Sequence, residues 1–263
     1  IYYFKDTEGD NRADIREHVD TGFGLGNVQG LLNTFKWGLD NRIHGSTSSS
    51  GGLIQRVDDP TAKPVNVGGR DFSFDPATRH FASESGGGQH GLTFDLDGNK
   101  LICHNSDHIM MIMYEDRYIA RNPYLAAPRA RLSIAVDGPQ ADVFRQSPVE
   151  LWRIVRTRLR VKKIVPGPVE GGGTASGYFT SATGITVYKG TAWPEEYRGQ
   201  VFIADVGSNL IHRKKVIQKG IVFEATRIDE GTEFIASTDN WVRPVQFANG
   251  PGGTPDVADL DRE

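Results

Sequence analysis

The chain has 263 residues, with 30 Lys and Arg against 33 Asp and Glu and a formal net charge of −3, so it lacks the basic excess of a nucleic-acid-binding protein. One cysteine, Cys103, excludes an internal disulfide framework, a cysteine-ligated zinc site and a Cys-x-x-Cys-His haem attachment within these residues. No apolar run reaches the roughly 18 residues of a membrane-spanning helix, and the 31 glycines suit a chain with many tight turns.

The sequence begins with a predicted strand, Ile1–Phe4, then Asp6-Thr-Glu-Gly-Asp-Asn-Arg-Ala-Asp14. Counted from Asp6, the residues Asp6, Glu8, Asp10, Asp14 and Glu17 keep the carboxylate register of an EF-hand-type calcium loop, and Arg12 takes the position that offers a backbone carbonyl. Asn11 stands where glycine usually turns the loop and tolerates the left-handed conformation. No helix pattern flanks it, so it is not a true EF-hand; because it joins outer strands, the expectation is a structural calcium loop, against the plainer alternative of a solvated acidic hairpin tip. Ile15–Val19 is expected to pair back onto the first strand.

Phe35–Gly45 then reads as strand, Asp-Asn turn, strand, and Arg70–Phe81 as a hairpin turning at Asp75–Thr78. The clearest unit is Gly86–His108. A glycine-rich approach leads into a strand at Leu92–Phe94, a tight turn at Asp95–Asn99, a second strand at Lys100–Cys103, and a polar loop ending in His108. Ile109–Tyr114 is an apolar strand, with Met110, Met111 and Met113 as core. Asp116–Ala127 reads as an irregular arm. Ser147-Pro-Val-Glu150 is a helix-start signature with Ser147 as cap, and a short helix to about Arg158 puts Val149, Trp152, Val155 and Leu159 on one face. The basic run 153–163 is then its solvated side.

Strands at Gly184–Lys189, Val201–Asp205, Leu210–Lys214 and Val222–Ile228 follow, and a polar segment, Ser237–Arg243, leads into Pro244–Asn249. The strand-turn-strand grammar at 35–45, 86–108, 184–205 and 244–259 is that of a β-propeller blade. The expected fold is all-β: one β-propeller domain over 1–263, truncated at one or both ends, with 114–178 as an insertion that carries one short helix.

In a propeller, the approach to each innermost strand and the loop after each second strand open on one face. That rule gathers Gln29, Asn33, Gln89, His90, His104–His108, Thr180, Ser181, Ser208, Asn209 and Asp239–Arg243 at one channel mouth. Within this set His90, Asp239 and Arg243 are candidate catalytic residues: imidazole is the natural base near neutral pH, and guanidinium forks onto carboxylates. Gln89, Asn105, Asp107, His108, Asn240 and Trp241 are candidate cofactor-binding residues. The plain alternative is that these groups satisfy loop amides.

Several stretches resemble a known family: Tyr3–Asp14, Trp37–Asn41, Gly69–Phe72, Gln89–Asp95, Asn105–His108, Ala120–Pro123, Gly184–Tyr188, Ser237–Trp241 and Val257–Asp259 are similar to the propeller region of planctomycete-type membrane-bound dehydrogenases. That family is related to soluble quinoprotein glucose and sorbosone dehydrogenases. The resemblance implies a six-bladed propeller in the full protein, pyrroloquinoline quinone (PQQ) at the channel mouth, calcium, and a histidine base that assists hydride removal from a sugar or polyol. It also implies a c-type haem acceptor outside this chain and a secreted or periplasmic setting. His90 is the position expected for the base. Two other functions stay open: a non-catalytic carbohydrate- or protein-binding propeller with Trp241 as stacking platform, and a calcium-dependent lactone hydrolase using Asp239 and Asp205. No glutamate lies on the predicted mouth loops, which counts against the last.

Overall fold

Every sheet of the computed structural model, which describes residues 1–119 and 121–260, is antiparallel. The chain divides into two compact units, residues 1–89 with 114–130, and residues 90–113 with the chain from Arg131 onward. The segment 114–178 is thus shared between them, its first part in the first unit and the rest in the second.

In the first unit β1 (Tyr2–Lys5) and β2 (Ile15–His18) form a two-stranded hairpin, as the sequence predicts. β3 (Asp20–Phe23) pairs with β6 (Gly52–Arg56), which pairs with β7 (Val65–Asn66). β4 (Asn33–Trp37), β5 (Ile43–Ser46), β8 (Asp71–Phe74) and β9 (Phe81–Glu84) make a four-stranded sheet in that order. Its core is aromatic: Phe72 stacks on Phe81 at 5.1 Å between centroids, with Ile54 and Val67 buried beside them. A one-turn helix, α1 (Asp116–Ile119), opens the predicted arm; Ala120 lies outside the described residues.

The second unit contains the Gly86–His108 strand pair and extends it to a four-stranded meander, β10 (Leu92–Phe94), β11 (Lys100–His104), β12 (Asp107–Ile112) and β13 (Arg131–Ser133). Asp95 makes its first turn: one carboxylate oxygen accepts from the amides of Asp97 and Asn99, the other from the Asn99 side chain, while Gly98 takes φ of +87°. The helix α2 (Leu151–Val161) follows. Next come β14 (Ala182–Val187), β15 (Val201–Asp205), β16 (Leu210–Lys219) and β17 (Val222–Arg227), with β18 (Ile235–Ala236) on β16. A hairpin, β19 (Pro244–Asn249) and β20 (Pro255–Asp259), ends the described chain.

Burial falls from inner to outer strand. β14 and β15 are buried along their whole length, whereas β17 is mostly half-buried or exposed. Leu101, Ile109, Ile185 and Ile203 are fully buried in one core, each contributing about 1.5–3 kcal/mol. The innermost strands also run close together: a Cβ on Gly184, at φ +62°, would sit 2.8 Å from the Val245 carbonyl, and one on Gly91, at φ +141°, 2.9 Å from the Ile185 amide. Four-stranded antiparallel meanders with buried inner and exposed outer strands are the blade unit of a propeller, so the all-β, propeller-like class stands.

Two local expectations are corrected. Ser147 does not cap α2; Glu150 holds the cap position without a side-chain bond, and the Ser147 hydroxyl donates to Asn209 instead. The helix also faces the other way, with Arg153 buried and Leu151, Trp152, Val155 and Val161 exposed. Among the described residues no helix is long and apolar enough to cross a membrane.

Candidate functional site

In the second unit the approaches to β10, β14 and β19 lie side by side. The His90 carbonyl accepts from the Gly184 amide (2.7 Å) and the Cys103 thiol (3.3 Å). The Thr183 hydroxyl lies 3.2 Å from that carbonyl and 3.0 Å from that of Val245, so one side chain ties the three strands together. The Asn105 carbonyl accepts from Ala182, and the Ser181 carbonyl from Val206. His90's ring is half-buried and has no hydrogen bond among the described residues; burial lowers its pKa and keeps it neutral at pH 7. Cys103 is fully buried, and burial pushes its thiol up to about 12, so it is not a nucleophile.

Two buried groups hold the remaining loops. Asp205 accepts the amides of Thr180 and Ser181 on one oxygen and those of Gly207 and Ser208 on the other. Arg145 donates to the Ser147 carbonyl and hydroxyl, the Pro148 carbonyl, the Glu150 carboxylate (3.2 Å), the Gly207 carbonyl, and the side chains of Asn209 and Asn240. Arg243 donates to the Val206 carbonyl at 2.8 Å and lies 3.4 Å from Glu150; its amide is bonded to Asp259. Burial works against the charged form of Glu150, but its own amide, Arg153 and Arg145 outweigh it and hold its pKa below the usual carboxylate value. Asp239 closes a turn by accepting the Trp241 amide, which leaves the indole 60% exposed. Arg145, Arg153 and Glu150 were absent from the sequence-derived set. No glutamate lies on the predicted loops themselves; Glu150, at the start of α2, is held to them by Arg145 and Arg243.

The other predicted residues are placed differently. Gln89 belongs to the first unit, where its carbonyl accepts from Asn33. The loop after β11 is shorter than expected, a turn at Asn105 and Ser106, so Asp107 and His108 are strand residues of β12. Asp107 accepts from Ser133, and burial raises its pKa to about 6. His108 is fully buried, stacked 4.2 Å from Phe179 with Nδ1 on the Pro139 carbonyl, so it is a core residue and not a loop ligand. In the first unit Asp6 accepts the amides of Glu8, Gly9 and Asn11, Asp10 that of Arg12, and Asp14 the amide and hydroxyl of Thr7; Glu17 pairs with Arg79 at 2.6 Å. The Gly9 amide is the largest influence holding Asp6 below its usual pKa. The register of the 6–17 loop is real as a turn, but among the described residues no three His, Cys, Asp or Glu side chains are placed to hold a metal.

A family model described as a domain of unknown function, DUF7133, matches residues 1–263. The chain belongs to the DUF7133 family. No curated protein matches it. Two solved glucose dehydrogenase structures are similar to it at 14% identity, with TM-scores of 0.39 and 0.35, over 89% of this chain and 81% and 80% of theirs.

This DUF7133 chain holds a second polar cluster that the sequence did not reveal. His212 on β16 is buried with Nδ1 2.7 Å from Glu233. Burial lowers the imidazole's pKa and raises that of Glu233, both in the direction of a neutral pair. Arg227 bonds Glu233 at 3.3 Å, and Lys214, fully buried, bonds Asp137. A cavity of about 430 Å³ opens on Asp137, Arg227, Phe144 and Glu230. The partners are far apart in sequence, with Lys214 and Asp137 separated by 77 positions, so no local pattern signals them.

Proposed function

We propose that this chain binds a hydroxylated small molecule, a sugar or polyol, at the loop cluster of its second unit, and that His90 takes a hydroxyl proton from it as the base of a dehydrogenase. The observation that carries this reading is His90: a half-buried, neutral imidazole with no bond to its ring among the described residues, at the approach to an inner strand. Neutral imidazole is the form that accepts a proton near pH 7. The exposed indole of Trp241 offers a face for a sugar ring, with Asp239 and Asn240 beside it in sequence. The resemblance to membrane-bound dehydrogenases, with a secreted or periplasmic setting and a haem acceptor elsewhere, belongs to the same reading.

Oxidation also needs an acceptor for the hydride, and a pyrroloquinoline-type quinone, when bound, takes up those two electrons. That quinone carries carboxylates, and the cluster does not fit it as folded: Arg243 is spent on Val206 and Glu150, and Arg145 on seven acceptors. The 6–17 loop likewise presents no convergent set of ligands for calcium. No step is therefore routed through either group. The exposed Trp241 and the committed arginines favour a second reading, a carbohydrate-binding module without turnover.

The experiment is a titration of the whole chain, with calcium present, against a sugar and polyol panel and against the quinone, followed by thermal shift, quinone absorbance and dye reduction. The dehydrogenase reading expects sugar affinity together with quinone-dependent dye reduction that drops about 100-fold in His90→Ala. Sugar affinity that survives His90→Ala but is lost in Trp241→Ala, with no quinone binding, leaves the binding module. No affinity for any sugar overturns both.

A further inference from the structure

The helix α2 shows its apolar side to solvent. Leu151, Val155 and Leu159 stand four apart with Trp152 next to them, so they form one strip. Leu151 is 80% exposed, Trp152 55% and Val155 54%, and Leu159 is half-buried. The opposite side is committed to the fold: Arg153 is buried, donates to the Gly207 carbonyl and pairs with Glu150 at 3.5 Å. That buried pair fixes which side faces inward, because rolling the strip under would strand Glu150.

The strip is braced at one end and extended at the other. The guanidinium carbons of Arg153 and Arg156 lie 5.2 and 4.7 Å from the Trp152 ring centroid, which holds the indole in place and still leaves it open. After the last turn the Ile164 amide donates to the Leu159 carbonyl and the Lys163 amide to that of Arg160, each at 2.9 Å. This is a Schellman end, and it turns Ile164, 65% exposed, back toward Leu159. Its left-handed residue is Lys163, at φ +57°, where glycine is usual. A lysine there costs helix stability and sets a cation beside the strip.

Charge says what covers the strip. Residues 150–170 hold six basic side chains against two acidic ones, Glu150 and Glu170, in a chain of net charge −3. Arg158, Lys162 and Lys163 are exposed and pair with no carboxylate among the described residues. A second copy of the helix would set these cations against their own kind. An anionic lipid surface gains from them, by about fivefold in affinity for each. An exposed indole among Lys and Arg is also the composition of a bilayer interface, where the ring lies at headgroup level and the cationic stems reach the phosphates. At 11 residues α2 is too short to span a bilayer, which takes about 20, and so belongs in the surface plane.

We propose that α2 is an interfacial anchor: Leu151, Trp152, Val155 and Ile164 enter the headgroup boundary of an anionic lipid bilayer, and Arg158, Lys162 and Lys163 bind its phosphates. The anchor is separate from the sugar-binding reading above and does not rest on it.

The test mixes the whole chain with vesicles of phosphatidylcholine alone and of phosphatidylcholine with phosphatidylglycerol, and reads flotation and tryptophan emission. Binding to the anionic vesicles is expected, at least about tenfold tighter than to the neutral ones, weakened by salt, with a blue shift that disappears in Trp152→Phe. Val155→Gln and Trp152→Ala should each weaken binding at least about fivefold, and Val155→Gln should do so with the Tm of the lipid-free protein unchanged. Lys163→Gly suits the backbone at its turn, so it should weaken binding about fivefold while raising the Tm, which separates lost binding from lost folding. Lys215→Gln, an exposed lysine on β16, should change nothing. No binding of the folded chain to anionic vesicles overturns the proposal, as does equal binding to neutral ones. An equal loss in Lys215→Gln would mean diffuse attraction, and binding that survives both Val155→Gln and Trp152→Ala would mean adsorption without entry; each overturns it. Binding of poly-glutamate without binding of vesicles would assign the strip to an acidic protein, and a dimer that Val155→Gln dissolves would assign it to a second copy; either replaces the lipid assignment.

Discussion

His108 and Asp107 are neighbours on β12, and burial shifts them in ways that oppose each other as pH changes. His108 is held down to about 3, by burial first and then by Lys214 and His212. Unfolded histidine titrates near 6.5, so the unfolded chain takes up a proton that the folded one refuses, and this contribution is full above about pH 6.5 and lost as pH falls toward 3. Asp107, raised to about 6, does the reverse: its share is full at low pH and lost as pH rises from about 3.9 through 6. Between these limits the two offset each other. Asp107→Asn keeps an acceptor for the Ser133 hydroxyl and removes the opposing titration. Urea unfolding of this variant at pH 4, 5 and 6 should show stability falling with acid more steeply than in the wild type, by up to about 1.4 kcal/mol per pH unit. An unchanged slope would mean that the Asp107 shift is absent. At this scale the sequence was half legible. His90, Asp239 and Arg243 stood out as polar groups on approach loops. Arg145 and Glu150 did not, because Glu150 meets Arg243 across 93 positions and no local spacing records that.

Among the elements, the turns were the most legible, since Asp95, Gly98 and Asn99 dictate their hairpin through their own backbone preferences. The helix α2 was not. Its pattern announces two faces, but amphipathicity alone does not say which one meets the protein. Here the neighbouring surface offers the Glu150 carboxylate and the Gly207 carbonyl, which suit Arg153 better than they suit valine. Val155→Gln should therefore leave the Tm within error, a change of no more than about 0.5 kcal/mol, whereas Arg153→Leu should lower it by leaving Glu150 short of a partner. The opposite ranking would restore the apolar-side-inward helix. Inner strands have their own requirement: Gly184→Ala, at φ +62° and against the Val245 carbonyl, should destabilise by about 1–3 kcal/mol. Denaturant unfolding reads this directly, and a neutral result would mean that β14 and β19 can part without loss.

Taken over the whole chain, stability should be graded, because burial is. The all-β class was legible from strand-turn-strand repeats, but the division into two units was not, since strand patterns report local pairing and not which sheets share a core. The sheet of β14 to β17 has two inner strands buried along their whole length and a shared core with β11 and β12. The β1–β2 hairpin is two-stranded and exposed, with Tyr2, Tyr3 and Phe4 open to solvent, and in the β19–β20 hairpin β19 buries Phe247 whereas β20, with Val257, is exposed. An isolated two-stranded hairpin is marginal in water, and its free edges invite pairing with another chain. Hydrogen exchange should therefore rank the amides of Ala182–Val187 and Val201–Asp205 as slowest and those of Tyr2–Lys5 and Pro255–Asp259 among the fastest. If the terminal hairpins exchange as slowly as β15, their edges are paired in solution. The source of that pairing is then distinguished by concentration: protection that fades on dilution marks pairing between copies, and protection that persists marks pairing within one chain. Val257→Lys, a charge on the β20 edge, should abolish the first kind and leave the exchange of β14 and β15 untouched.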